Sequence, residues 1–149
     1  MDYATDKNQD KTAVRLDKGD AVIESLLQVV GKVKITSGQI VGIGAVKEPV
    51  IGYYQIEKQE YKKGRLTGAY ELTNLTGVVA KKEQDTHIHA HVTLADENHR
   101  AFGGHLHQAT VSAAGEFWIY HSDTPITRNY NGSLGLDLMR FSPHDESQQ

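Results

Sequence analysis

Six of the chain's eight histidines fall within residues 87–107, and five of them, His87, His89, His91, His105 and His107, stand in two alternating runs. The chain has no cysteine. A transition-metal site here must therefore be built from imidazole and carboxylate. Iron–sulfur clusters, thiolate zinc fingers, CxxC redox centres and a disulfide framework are all excluded. His87, His89 and His91 stand at alternate positions, so on a strand their rings share one face. Neighbours in that row are about 6.8 Å apart along the strand. Two such rings can lean onto one ion with metal–nitrogen bonds of about 2.0–2.1 Å; three in line converge poorly. His105 and His107 repeat the alternation after a short turn, and His105 can complete a three-imidazole face if the two segments lie side by side. Gly103-Gly104 just before it permits a close backbone approach. The favoured ligand set is His89, His91 and His105, with an open fourth position of the kind a catalytic zinc site keeps. The expected cofactor is a divalent transition metal, zinc first, with iron or nickel also accepted by imidazole. His87 and His107 read as bystanders or supports of the ligating rings. His99, His121 and His144 read as surface residues.

The elements that must position these rings are mostly strands. Thr12–Leu16, Gly38–Val46, Pro49–Ile56, Ala69–Lys81, His87–Leu94, Ala101–Val111, Gly115–Tyr120 and Leu134–Phe141 have strand patterning. Val22, Ile23, Leu26, Leu27, Val30 and Val33 have helical spacing and predict one helix over about Asp20 to Lys32, with Asp17 or Asp20 as N-cap. Residues 57–66 read as a charged loop, Asp96–Arg100 as a turn and Asn131-Gly132 as another. Gly42 and Gly44 suggest tight sheet packing rather than a phosphate loop, because no helix follows them directly. Trp118 reads as core or subunit interface. The expected class is α+β, a compact and mostly antiparallel β-sheet domain with one main flanking helix. The expected organisation is a flexible arm over 1–11, one domain over 12–141 and a flexible tail over 142–149.

Composition narrows the partners. The 149 residues suffice for one domain with its own core. The formal net charge is -3, whereas nucleic-acid domains usually carry a basic excess. Lys62-Lys63-Gly64-Arg65 is the one basic cluster and reads as solvated. No apolar stretch approaches the roughly 20 residues of a membrane helix. The polar start is unlike a secretory leader, so no membrane partner and a cytoplasmic location are expected.

Several segments carry a family resemblance. They are Leu16-Asp17-Lys18-Gly19-Asp20, Gly42-Ile43-Gly44-Ala45, Tyr70-Glu71-Leu72, Leu75-Thr76-Gly77, His89-Ala90-His91-Val92-Thr93-Leu94-Ala95-Asp96, Gly103-Gly104-His105-Leu106, and Arg128 with Gly135-Leu136. From about Val14 to Phe141 the chain resembles the plants and prokaryotes conserved (PPC) domain, in its stand-alone prokaryotic form. The HxH-x-(S/T)-L-A-D run followed by GGHL is far more specific than a lone HxH. The cupin pattern fits less well: it wants glycine six residues before the first histidine, where this chain has Glu83.

The resemblance implies a PPC or acetolactate-decarboxylase-like fold and a homotrimer. It also implies a metal on His89, His91 and His105, and a family label of DNA-binding, of the regulatory or assembly type. An AT-hook needs an Arg-Gly-Arg-Pro core; here Lys62-Lys63-Gly64-Arg65 is followed by Leu66. The alternative reading is a metal-dependent enzyme, a lyase or hydrolase acting on a small keto or carboxylate substrate. Glu71 is then the candidate catalytic acid or base. Arg128 is a candidate for a substrate carboxylate or for a trimer contact.

Overall fold

Residues 1–141 are described by the computed structural model. The tail expected at 142–149, with His144, lies outside the described residues. The elements run β1 (Asp2–Thr5), β2 (Lys11–Asp17), α1 (Val22–Val33), β3 (Gly38–Gln55), β4 (Glu60–Arg65) and β5 (Ala69–Lys82). They continue with β6 (Asp85–Ala95), β7 (Ala101–His121), β8 (Ile126–Asn131) and β9 (Leu136–Phe141). The expected class holds: one helix flanks a mostly antiparallel sheet.

The nine strands of the described residues belong to one sheet, ordered β1-β2-β7-β3-β5-β8-β9, with β4 on β3 and β6 bridging β5 and β7. Pairing therefore closes on itself through β3, β5, β6 and β7. The long strands β3 and β7 must bend to do this, and their shared register shifts at three places between Gly44 and Ile51. A Cβ on Gly42 would lie 2.1 Å from the Phe117 ring, so tight packing is the reason for glycine there.

Alternation decides the faces. Ile88, Ala90, Val92 and Leu94 of β6, Leu106 of β7 and Leu72 and Leu75 of β5 turn inward and are buried. They join Val22, Leu26, Val29 and Val30 of α1 and Phe117 of β7 in one core. Each fully buried aliphatic side chain stabilises the fold by about 1.5–3 kcal/mol. The opposite face carries the row Trp118, Val41, Thr76, His91 and His105, partners in register across the sheet. The clustered histidines thus lie on the side away from the core.

Several expectations need correction. Asp2–Thr5 of the expected flexible arm is a strand paired with β2, because backbone bonding to the sheet edge outweighs its polar composition. Residues 57–66 are not a loop: after a helical turn at Ile56–Lys58, β4 pairs with β3 from Arg65 to Glu60. The pieces Gly38–Val46 and Pro49–Ile56 form one strand, as do Ala101–Val111 and Gly115–Tyr120. β8 was not anticipated. The helix starts at Val22 with Ala21 as its cap and no side-chain cap bond. Asp20 instead accepts the Asp17 backbone N–H at 2.9 Å, closing the turn before the helix. Trp118 is 47% exposed, so it is not core within the chain. Among the described residues no helix is long and apolar enough to cross a membrane.

Candidate metal centre

The centre is built on one hairpin. β6 and β7 are joined by the turn Asp96–Arg100, which Asp96 organises. Its carboxylate accepts the backbone N–H groups of Asn98 and Arg100 at 2.9 Å each and the Arg100 Nε–H at 2.7 Å. His99 takes the left-handed conformation this turn requires, with φ 62°, and is exposed. The turn fixes a register in which His91 faces His105 directly. His89 is two residues back on the same face.

One ligand atom each from His89, His91 and His105 lies within 4.8 Å of the other two. Ring centroids are 5.1 Å apart for His89 and His91, 5.0 Å for His89 and His105 and 5.5 Å for His91 and His105. The expected trio is therefore brought together. Gly104 passes so close to the Gly52 carbonyl that a Cβ would lie 2.8 Å from its oxygen, so the close backbone approach at Gly103-Gly104 is present.

Two distant hairpins flank the rings. From β4, Tyr61 lies 4.7 Å from His105 and 5.0 Å from His107, centroid to centroid, with Tyr54 behind it at 5.0 Å. From β8, Arg128 donates through Nη2 to the Asp137 carbonyl at 2.6 Å. The hairpins are tied together: the Tyr54 hydroxyl donates to the Leu134 carbonyl at 2.5 Å, and the Gln59 amide donates to the Ser133 carbonyl at 3.0 Å. Tyr61 was missed by sequence reasoning. Its one signal is an isolated aromatic inside a charged segment.

Under this cover the rings resist protonation. Burial, then the Arg128 charge, then His91 and His87, push the His89 imidazole down to about 4. Burial, then His89, His107, His91 and His87, push His105 down to about 3. Burial also lowers His87, helped by Arg128 and Lys82 against Asp137, and lowers His107, helped by Lys63. His89 and His105 are thus neutral at pH 7, the form that ligates metal. His105 Nδ1 is buried with no hydrogen-bond partner among the described residues. Buried polar atoms are normally satisfied, so an unpaired imidazole nitrogen beside two others fits a metal. Small side-chain rotations would bring the three nitrogens to bonding distance.

The remaining candidates lie elsewhere. Glu71 is exposed at the far end of the β5–β6 pair, opposite Ala95, whereas Thr76 is the β5 residue opposite His91. Five residues of strand separate the two positions, roughly 16 Å. Within one chain Glu71 is not brought to the trio. His121 is half-buried, with Nε2 2.9 Å from the Thr12 hydroxyl oxygen.

Residues 3–122 match a protein family described as the Plants and Prokaryotes Conserved (PCC) domain. A plant- and prokaryote-conserved protein from Pyrococcus horikoshii is 33% identical, superposes with a TM-score of 0.83, and the match covers 94% of this chain and 95% of that one. A candidate DNA-binding protein from Bacteroides thetaiotaomicron is 29% identical at a TM-score of 0.87, over 93% and 97% of the two chains. A metal-containing protein from Archaeoglobus fulgidus is 32% identical at a TM-score of 0.81, over 93% and 96%. No curated protein matches the chain.

Proposed function

The chain belongs to the Plants and Prokaryotes Conserved domain family, and from that premise we propose that it is a homotrimeric member holding a divalent transition metal on His89, His91 and His105. The observation that carries the reading is the convergence of three imidazole nitrogens within 4.8 Å. The Archaeoglobus relative, described as metal-containing, supports it. Zinc suits a set of three neutral imidazoles, and iron(II) or nickel also suits them. Metal analysis of purified protein tests the reading. Wild type is expected to hold about one ion per chain, and His89→Ala to hold little. Equal contents would defeat it.

Trimer formation needs a surface, and the outer face offers one. Ile43 is 55% exposed and Trp118 47%, on adjacent strands, with Tyr120 further along. Exposed apolar patches of this kind mark association sites. Light scattering should give three times the chain mass of 16.5 kDa, and Trp118→Arg should lower it.

DNA contact is the family-level role, suggested by the Bacteroides relative. In this chain it would rest on the exposed Lys62, Lys63 and Arg65 of β4, against a net charge of -3. Any direct binding would be weak and strongly salt-dependent. A gel shift across a salt series measures it, and no retardation at low salt would remove the role.

A second reading, a metal-dependent lyase or hydrolase for a small keto or carboxylate substrate, is favoured by Arg128 beside the rings. A bound metal would polarise a substrate carbonyl or acidify a bound water there. In this reading Arg128 would orient the substrate, whereas Glu71, the expected acid or base, lies too far along β5 to act on the same chain's trio. Turnover abolished by chelator would support it.

A further inference from the structure

Charge at the histidine centre is unbalanced. The three candidate ligands are all histidine, and among the described residues no carboxylate joins the group. A divalent ion held there would keep its full charge. Arg128 adds another. Its Nη2 is spent on a backbone carbonyl, and its Nε is buried with no partner among the described residues. The Asp137 carboxylate is already engaged by Lys82 at 2.7 Å. Register places the guanidinium on the histidine side. β8 runs parallel to β5 with Thr127 beside Lys81, so Arg128 shares a face with Lys82 and with Val78 and Ala80. Val78 and Ala80 are the partners of His89 and His87. Arg128 is half-buried and has no carboxylate partner among the described residues, and a guanidinium edge matches a planar carboxylate.

We propose that the open side of the His89, His91 and His105 centre is a receptor for a small carboxylate, held between the metal and the Arg128 guanidinium. The proposal rests on the metal reading above and names the ligand class for that site. Arg128 acts as the anion clamp, and the tied hairpins of Tyr54, Gln59 and Leu134 hold it in place.

The test uses the purified protein loaded with cobalt(II), whose visible absorption reports its coordination. Glycolate is expected to change the spectrum saturably. Its neutral counterpart, glycolamide, is expected to leave it unchanged. Arg128→Lys and Arg128→Met are each expected to weaken glycolate binding by about tenfold or more, the scale of a lost charge-assisted hydrogen bond, while cobalt stoichiometry stays at the wild-type value. A spectrum indifferent to glycolate overturns the proposal, as does equal response to glycolamide or wild-type glycolate affinity in Arg128→Lys. Preference for inorganic phosphate overturns the carboxylate assignment. Failure to take up cobalt defeats the metal reading itself, whereas uptake without a glycolate response defeats only this one.

Discussion

Strand β6 presents two faces of opposite chemistry on one backbone. Inward, Ile88, Ala90, Val92 and Leu94 are no more than 5% exposed and pack into the common core. Outward, His87 and His91 are exposed and His89 is half-buried, within reach of the Arg128 charge. The inner face stabilises the fold through area removed from water. The outer face works against it: His105 Nδ1, His107 Nε2 and Arg128 Nε are buried without partners among the described residues, and each such group costs about 1–3 kcal/mol. Stability and site are thus segregated by the parity of residue number, and changes on the two faces should be separable.

The largest effect is expected from the core. Leu94→Ala should lose about 2–5 kcal/mol of unfolding free energy, read by denaturant titration, while the folded fraction keeps its metal. A loss under 1 kcal/mol would mean that the inner face is not what holds β6. Next comes the outer face. His89→Ala should abolish metal uptake yet leave the metal-free protein within about 0.5 kcal/mol of wild type. A large loss of stability in the metal-free variant would break the separation.

Much of this contrast was legible in the sequence, because period two is a local signal. The alternation from His87 to Leu94 announces both faces, and the spacing of Val22, Leu26 and Val30 announces the helix. What covers the histidines was not legible. β4 reads as a loop because its exposed strand carries Lys62, Lys63 and Arg65, and no alternation marks it. β8 pairs with β9 and touches β5 at a single register position, Lys81 with Thr127. Tyr61 and Arg128 reach the rings only through tertiary docking of those hairpins, which no local pattern encodes. Bulges joined pieces of β3 and β7 that sequence reasoning kept apart, since a register shift interrupts the alternation without ending the strand.

Acidity should sharpen the contrast further. Unfolded histidine takes up a proton near 6.5, whereas folded His89 resists until about 4 and His105 until about 3. Between those values the unfolded chain binds more protons, so stability falls as pH is lowered from about 6.5 toward 4. Bound metal is released over the same range. Denaturant titrations across pH should show a shallower slope for His89→Ala than for wild type. The smallest expected change is at the rim. Lys63 helps depress His107, so Lys63→Gln should raise the His107 pKa in an NMR titration, with stability altered by less than about 1 kcal/mol.

Folding order follows from where the Asp96–Arg100 turn lies. His91 and His105 pair across a short hairpin, whereas Gly38 must find His121 across most of the chain. Short loops close at lower entropic cost, and a hairpin forms in about 1–10 μs. All three candidate ligands can therefore meet on the nascent hairpin before the ring of strands closes, with Tyr61 and Arg128 arriving later. A metal captured at that stage would act on the transition state, so loading would raise the refolding rate as well as slow unfolding. The same turn that sets the ligands' register thereby makes the ion a candidate nucleus for the fold.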